Sequence, residues 1–410
     1  MTQPRALDLH EIRSRIASFL EGRDIVSCAR VSLDWNASFS PSLYNSVVLS
    51  RNIPSMEAIE RNKRLIRYLK ISRRAHISIF AKPDVLFSVM ASPALTTLEM
   101  HLTWMRDSGA RAVAHALKSN SILTTLISRT NSIREAGARA LAEALETNSS
   151  LTTLKLDLDK IGSNGGQALA KALTINSTLS TLSLWCAGIG NEGAEAMAKA
   201  LKTNSTLTSL TLVGSDIRDH GAKALAEALK NNSALADLDL SSNHIKEPGA
   251  YALVELLTIR SALSTLKLKH NRIGDDGTRS LAEALNTNST LVNLNLSNNS
   301  TGCNGARALA EALKTNSTLN SLDLHCNSIE CNGAIALAEA LRTNSTLKTL
   351  HLHLNPIRDK GSLSLAEVFK TNYTLTTLNL HNNPIGDVGM QALNETRKAL
   401  STRSSVPLLF

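Results

Sequence analysis

Aromatic residues are scarce in this sequence of 410 residues: Phe, Trp and Tyr together make up 3% of it, whereas 43% of it is hydrophobic. A ligand pocket walled with aromatic rings is therefore not expected, and aliphatic and small side chains must form the core. No apolar stretch approaches the ~18 residues that a membrane-spanning helix needs. The first residues, MTQPRALDLHEIRS, are charged where a secretory signal would be apolar. We therefore expect a soluble protein of the cytoplasm, the nucleus or both, with no membrane contact.

The sequence also lacks the short motifs of common enzymes. It contains no P-loop, no HExxH zinc motif, no GxSxG nucleophile elbow and no CxxC pair. Its five cysteines are an odd number, which in a reducing compartment favours free thiols. We expect no catalytic residue, no cofactor and no bound metal.

The net charge of +9 is concentrated near the N-terminus, where the run RNKRLIRYLKISRR carries seven basic residues and no acidic one. Such a run can contact an acidic protein, a nuclear import receptor or a nucleic acid. No interleaved aromatic residues and no nucleic-acid motif accompany it, so a solvated surface is the better interpretation and nucleic acid is not an expected partner.

Residues 95–400 repeat themselves with a period of 28. The first leucine of an LxxLxL motif recurs, without a single insertion, at Leu95, Leu123, Leu151, Leu179, Leu207, Leu235, Leu263, Leu291, Leu319, Leu347 and Leu375. Eleven copies in constant register predict a solenoid, in which each copy packs only against its neighbours.

Within each copy, the alternation of leucines predicts a short strand. In LNSLDL this places Leu322 and Leu324 inward and Ser321 and Asp323 outward. An asparagine follows the strand in seven copies, where its side chain can bond the backbone of the neighbouring copy. These residues are Asn131, Asn243, Asn271, Asn299, Asn327, Asn355 and Asn383.

The second half of each copy, as in GARALAEALK, has the apolar spacing of a helix. An aspartate precedes it in several copies, and we expect this aspartate to be the N-cap of that helix. The residues concerned are Asp107, Asp219, Asp275, Asp359 and Asp387. Two residues further on, every copy has a glycine, which indicates either a positive φ or a contact too close for a Cβ.

Strands lie about 4.8 Å apart and helices about 8 to 10 Å apart, so such a stack must curve with its parallel sheet on the inside. The pattern LxxLxLxxNxIxxxGAxALAxAL resembles the leucine-rich repeat of the ribonuclease-inhibitor subtype, found also in NOD-like receptors and Ran GTPase-activating proteins. The resemblance, over about residues 66–400, implies an α/β solenoid shaped as a right-handed horseshoe with a concave sheet face and outer helices. Because this fold serves many functions, it specifies no activity.

Residues 5–50 follow a different pattern, with apolar residues at helical spacing interrupted by Gly22. They resemble an F-box in an acidic-Ile pair, in Phe-Leu and Asp-Ile pairs, and in a Val and a Trp four residues apart. The resemblance implies a small all-α unit that binds the adaptor subunit of SCF ubiquitin ligases. The sequence departs from the family at His10, where a proline is usual. By resemblance, the adaptor-binding residues are Leu9, Ile12, Ile16, Val31 and Trp35.

Those five residues have an alternative role, as the core of a helical unit that binds no adaptor. Residues 51–94 join the two parts, and LIRYLKIS within them repeats the strand pattern of the later copies. We expect a linker and a degenerate N-terminal capping repeat there. Residues 401–410 form a C-terminal tail.

The outward strand positions vary from copy to copy and are therefore the expected partner-binding surface. Trp185, with Arg129 and Asp157, makes one candidate anchor site. The ladder of His325, His353 and His381 makes a second, since adjacent strands place imidazoles about 5 Å apart, close enough to share a metal or to oppose each other's protonation. Structural metal sites usually have four ligands, so ordinary surface histidines are favoured. The remaining candidates are Lys155, Asp239, Lys267, Lys269, Asp323 and His351.

The sequence thus predicts a non-catalytic binding protein that is monomeric outside its complex. The leading hypothesis is an F-box and leucine-rich repeat substrate receptor of an SCF-type ubiquitin ligase, with an unidentified protein on the concave face. A scaffold or inhibitor is one alternative. A Ran-type GTPase activator is another, although this chain ends in STRSSVPLLF rather than the long acidic tail typical of that family.

Overall fold

A computed structural model gives the structure of the protein and describes residues 46–49, 63–72, 89–101, 105–259, 261–401 and 408–409. The chain divides into two compact units, Met1–Asp159 and Lys160–Phe410. The five residues predicted to bind an adaptor lie outside the described residues, as does most of the predicted all-α unit. The last part of that unit's range forms a strand, Ser46–Leu49, rather than a helix.

In the first unit, parallel strands follow one another in chain order and helices connect the later ones. The strands are β1 (Ser46–Leu49), β2 (Tyr68–Ser72), β3 (Thr97–His101), β4 (Thr125–Arg129) and β5 (Thr153–Asp157), and the helices are α1 (Arg106–Ser119) and α2 (Glu135–Leu145), with a 3₁₀ turn at Lys63–Leu65. In β2 and just before it, Ile66, Leu69 and Ile71 are buried, as the weak repeat pattern predicted.

The second unit continues the same alternation with shorter strands. Its strands are β6 (Thr181–Ser183), β7 (Ser209–Thr211), β8 (Asp237–Asp239), β9 (Thr265–Lys267), β10 (Asn293–Asn295), β11 (Ser321–Asp323), β12 (Thr349–His351), β13 (Thr377–Asn379) and β14 (Leu408–Leu409). Its helices are α3 (Gly162–Leu173), α4 (Gly190–Leu201), α5 (Arg218–Leu229), α6 (Glu247–Thr258), α7 (Gly274–Leu285), α8 (Cys303–Thr315), α9 (Cys331–Leu341), α10 (Arg358–Val368) and α11 (Asp387–Ser401). The predicted α/β repeat solenoid is confirmed.

Strand pairing follows the repeat residue for residue. Ser321 of β11 lies opposite Thr349 of β12, and every pairing between β6 and β13 is parallel with the same offset of 28. Leu322 and Leu324 are fully buried, as predicted, whereas Asp323 is only partly buried. The leucines therefore form one continuous apolar layer between the sheet and the helices within each unit.

The predicted asparagine ladder is present in all seven copies. Asn327 shows its geometry: its Nδ2 donates to the Leu296 carbonyl of the preceding repeat at 3.0 Å, and its Oδ1 accepts from the Asn299 and Thr301 amides at 2.9 and 3.0 Å. Nδ2 also donates to the Leu324 carbonyl of its own repeat. Because an unpaired buried amide or carbonyl is costly, this side chain holds consecutive repeats in register.

A second asparagine ladder was not predicted. In the recurring TNST segment, Asn316 donates from Nδ2 to the Leu285 carbonyl at 2.8 Å, and its Oδ1 accepts from the Leu319 amide at 2.8 Å. It thereby joins the end of one helix to the strand that begins the next repeat. Its equivalents are Asn148, Asn204, Asn232, Asn288, Asn344 and Asn372. The signal for this ladder in the sequence was an asparagine that recurs every 28 residues.

The prediction that aspartates cap their own helices is wrong. Asp275 is the second residue of α7 and makes no capping hydrogen bond there. Its Oδ1 instead accepts from the Gly302 and Gly305 amides at 2.7 and 2.8 Å, at the start of the next helix. Asp107, Asp219 and Asp359 accept from two amides of the following repeat in the same way. The carboxylate therefore links neighbouring helices.

This arrangement also decides between the two explanations of the repeated glycine. A Cβ on Gly305 would lie 2.8 Å from Asp275 Oδ1 and 2.8 Å from Thr301 Cγ2. A Cβ on Gly361 would lie 2.5 Å from Ile357 Cγ2 and 2.9 Å from Ala334 Cβ. Neither glycine has a positive φ. The glycine is required because neighbouring helices approach too closely for a side chain.

The aspartate link makes a prediction at Asp275. Asp275→Ala should lower the free energy of unfolding by about 1 to 2 kcal/mol, because two helix-terminal amides lose their acceptor. Urea denaturation gives this change, and hydrogen exchange at the Gly302 and Gly305 amides localises it. Asp276→Ala is the matched control, since that exposed side chain pairs only with Arg279 at 3.0 Å, and it should change stability by less than about 0.5 kcal/mol. Equal losses in both variants would contradict the inter-repeat role.

Asp159 replaces the ladder asparagine in the first unit and makes a second prediction. Its Oδ1 accepts from the Asn131 and Ile133 amides at 2.8 and 3.0 Å, and its Oδ2 accepts from Ser128 Oγ at 2.8 Å. The side chain is fully buried. Burial, opposed by these hydrogen bonds, raises the pKa of the Asp159 carboxyl above its usual 3.8.

Because its folded-state pKa is raised, Asp159 reduces stability progressively as the pH rises from about 3.8 through that folded value. Asp159→Asn should therefore stabilise the protein by about 1 to 2 kcal/mol at pH 7, and by less near pH 4. Urea denaturation between pH 4 and 7 measures the difference. Asn131→Asp is the reciprocal variant and should destabilise with the same pH dependence. A benefit of Asp159→Asn that is independent of pH would contradict the electrostatic explanation.

Candidate protein-binding surface

The sheet surface that faces away from the helices is here termed the open face; it carries the third, fifth and seventh residues of each repeat. Its third column is nearly uniform and uncharged. The residues are Thr97, Thr125, Thr153, Thr181, Ser209, Thr265, Asn293, Ser321, Thr349 and Thr377. Asp237 breaks this uniformity and is exposed. Because Asp239 occupies the fifth column of the same strand, β8 is the one described strand that places two carboxylates on the open face.

A groove of about 470 Å³ crosses the open face of the second unit from β7 to β12. Asp237 and Asp239 line it together with Lys267, Asp323 and His351. The Lys267 ammonium lies 3.8 Å from the Asp239 carboxylate. Three carboxylates therefore face one lysine, and the lining is anionic when His351 is neutral.

Hydrogen bonds hold Asp323 in place beside the groove. Its Oδ2 accepts from Asn295 Nδ2 at 3.1 Å, and its Oδ1 accepts from the His325 amide at 3.1 Å and lies 2.7 Å from His325 Nδ1. Similarly, the Asp239 carboxylate accepts from the Ser241 amide at 3.0 Å. Both carboxylates are preorganised, so little side-chain entropy is lost when a ligand contacts them.

An imidazole cluster adjoins the groove at β11 and β12. The rings of His325 and His353 stack with centroids 4.3 Å apart, and His351 meets His353 edge-on at 6.0 Å. The Nδ1 atoms of His351 and His353 are buried and find no hydrogen-bond partner in the part of the chain that the structure describes. Burial first, and then the neighbouring His325, lower the pKa of His353 below its usual 6.5. The stack therefore opposes protonation of His353.

The cluster makes a prediction about pH. His353 should titrate below 6.5, and because its folded-state pKa is lowered, its burial reduces stability as the pH falls through 6.5 toward that value. Replacing His325 by Gln should raise the pKa of His353, since a nearby cation is removed. NMR titration of the imidazole resonances gives both values. His220→Gln, an exposed residue paired with Glu195, is the control and should leave His353 unchanged. A pKa of His353 above 6.5 would contradict this account.

The first unit carries other predicted residues on its own open face. Arg129 Nε lies 3.4 Å from Asp157 Oδ2, and this carboxylate is almost fully buried while the guanidinium is exposed. Lys155 is partly buried beside them in the fifth column. The arginine and the aspartate thus form a partly buried ion pair on the open face of the first unit.

The other predicted residues of the second unit lie outside the groove. Trp185 is 44% exposed, as a hydrophobic anchor for a partner would be. Lys269 and His381 are exposed, each in the seventh column. The structure therefore gathers Asp239, Lys267, Asp323 and His351 into one groove.

Sequence reasoning missed Asp237, Asn293 and Asn295 as groove residues. The third column was the available signal for Asp237, because a single charge there interrupts a run of Thr, Ser and Asn. Among the described residues, no group of three or more His, Cys, Asp or Glu side chains is arranged to hold a metal ion. None of the described helices is long and apolar enough to cross a bilayer.

Eight segments of the chain match the model of the leucine-rich repeat family. They are residues 147–170, 176–198, 203–226, 231–254, 262–282, 315–338, 343–366 and 371–393. Comparison with curated proteins finds no match. Leucine-rich repeats form protein–protein interaction modules, and they are generally binding scaffolds rather than catalysts.

Two solved structures illustrate the structural similarity. A chain of the yeast Rad7–Elc1 complex is 15% identical over 97% of this chain and 92% of that chain, with a TM-score of 0.55. Actin-binding site 2 of leiomodin-1 is 24% identical over 38% of this chain and 92% of that chain, with a TM-score of 0.31. The first similarity establishes a shared fold.

Proposed function

We propose that this leucine-rich repeat solenoid is a substrate receptor of an SCF-type ubiquitin ligase, with a protein partner in the groove of its second unit. The observation that carries the proposal is the contrast between the two sides of the sheet. The leucines at the first and fourth places repeat without change, whereas the fifth-column residues that line the groove change from each strand to the next between β7 and β12. Variation on a solvent-facing surface above a constant core is what selective partner binding requires.

The dimensions of the groove suit a protein ligand. Six strands about 4.8 Å apart span roughly 24 Å, which is comparable with a standard protein–protein contact patch. The lining is mostly polar and charged, with Leu210, Leu238 and Leu294 beside it, and the groove lies on an open sheet surface that does not enclose a small molecule. A folded domain or an extended segment is therefore a better ligand for it than a metabolite.

The charge of the groove indicates the chemistry of that partner. Asp237 lies on the same strand as Asp239, and of the two only Asp239 has a lysine within 4 Å among the described residues. A lysine or arginine of the partner can pair with Asp237, which is exposed. Such a contact steers association and rejects acidic partners more than it adds raw affinity.

The ligase part of the proposal rests on the sequence of residues 5–50. Its F-box-like pattern places Ile16 and Trp35 in the adaptor-binding set, and these residues precede the first described strand. The structure of Rad7, which has a similar fold, was solved in a complex with Elc1. A solenoid of this kind can therefore assemble with a second protein.

One binding experiment tests both parts. The purified full chain is titrated with a purified SCF adaptor subunit, and the double variant Ile16→Asp, Trp35→Ala is compared with it after circular dichroism has confirmed its fold. We expect stoichiometric binding by the natural chain and at least a tenfold loss in the variant. Undiminished binding by a folded variant, or no binding by the natural chain, would overturn the ligase assignment.

The groove is tested separately in cell extract. Asp237→Lys, Asp239→Lys should lose specific partner proteins while still binding the adaptor. Glu283→Lys, Glu339→Lys is the matched control, with the same change in net charge at exposed helix positions. Partners retained by the control but lost by the groove variant support the groove. If all partners survive the groove variant, the open face is not the binding surface; if only the adaptor arm fails, the scaffold alternative is correct.

A further inference from the structure

A second cavity lies away from the open face, among the loops that lead from β7, β8 and β9 to the following helices. Its volume is about 350 Å³, and it is lined by Arg218, Asp219, His244, Lys246 and Arg272. These five residues are here termed the basic pocket. Three consecutive repeats of the second unit contribute residues to this cavity. The cavity therefore forms only when the repeats stack.

Backbone pairing places two of the cations side by side. Lys246 and Arg272 form an isolated parallel bridge outside the named strands, in which the Arg272 amide donates to the Ile245 carbonyl at 2.7 Å. The Lys246 amide is held in turn by Asp219 Oδ1 at 2.7 Å. The backbone positions of Lys246 and Arg272 are therefore fixed. Binding of a ligand to their side chains does not require the loops to become ordered.

Most of the positive charge in the basic pocket is uncompensated. Among the described residues, Lys246 and Arg272 have no carboxylate within 4.0 Å, and both are exposed. Arg218 pairs with Asp216 at 3.0 Å. Asp219 is the acidic lining residue, and its Oδ1 already accepts from the Lys246 and Gly249 amides. Among the described residues, Lys246 and Arg272 are thus the two cations of the basic pocket that no carboxylate compensates, whereas Arg218 is paired with Asp216.

The basic pocket lies between stretches of small residues in the second unit. At the places of His244 and Lys246, Gly188 and Gly190 stand two repeats before, and Ser300 and Gly302 stand two repeats after. Cations recur at these places elsewhere in the chain, at Arg106, Arg134, Lys160 and Arg358. Arg218, Lys246 and Arg272 are those that line this cavity.

We propose that the basic pocket binds a phosphorylated side chain of a protein. Arg272 can bind two phosphate oxygens through its planar fork, while Lys246 supplies a point charge beside it. A volume of about 350 Å³ exceeds what one phosphate group fills, so residues flanking the phosphorylated side chain occupy the rest. A nucleic acid fits less well, because His244 is the single ring among the five lining residues and offers little surface for base stacking.

The test uses the full chain and degenerate peptide libraries with a central phosphoserine, phosphothreonine or unmodified serine. We expect the phosphorylated libraries to bind at least tenfold more tightly than the serine library, with competition by millimolar inorganic phosphate. Lys246→Glu, Arg272→Glu should abolish this preference. Lys223→Glu, Arg307→Glu, two exposed helix positions with the same change in charge, should preserve it.

A conservative variant separates charge from geometry. Arg272→Lys keeps the cation but loses the planar fork, so a partial loss of phosphopeptide affinity is expected. The proposal is overturned by equal binding of phosphorylated and unmodified libraries, or by equal losses in the two Glu variants. It is also overturned if inorganic phosphate binds as tightly as the peptides, or if single-stranded RNA binds through Lys246 and Arg272 when the phosphopeptides do not. Adaptor binding is independent of these outcomes, so failure here leaves the proposed ligase role untouched.

Discussion

The hydrogen bonds of buried asparagine side chains between consecutive repeats are the constraint on which the rest of the structure depends. In Asn327, one carboxamide satisfies a carbonyl and two amides of the preceding repeat. The bonds join groups that water cannot reach, so a shift of register would leave several of them unpaired at once. This explains why the repeat tolerates no insertion. If a repeat had one more residue, its asparagine side chain could not align with the backbone amides and carbonyl of the neighbouring repeat.

Constant register has a functional consequence, because equivalent residues of successive repeats lie beside one another and form columns along the sheet. The leucines at the first and fourth places and the helix glycine recur in all eleven repeats, and the ladder asparagine in seven, while the columns of the open face and the loops that precede the helices vary more. Both proposed sites lie where those free columns carry charge: Asp237 and Asp239 on one strand, and Lys246 and Arg272 on two adjoining loops. Each site draws residues about 28 apart into one pocket, which only the stacking of repeats can achieve.

The sequence predicted the side of the sheet on which each residue lies, because a strand has a period of two and the repeat has no insertions. Asp239, Lys267, Asp323 and His351 were therefore expected on the open face, and they line the groove. The partners of the aspartates were not predictable in the same way. Asp275 stands where a capping residue of its own helix would stand, and only the distance to the next helix shows that its carboxylate bonds Gly302 and Gly305.

By itself, the sequence determined the repeat length, the parallel sheet with helices on its other side, and the buried leucines, because each follows from local periodicity. The tertiary structure decided which repeated glycines exclude a Cβ, which imidazoles stack, and which cations share a pocket. The physical reason is the same in each case. Contacts between repeats depend on the direction of each side chain and on distances of a few ångströms between side chains. The period of the sequence predicts which column a residue belongs to, but it predicts neither the direction nor the distance.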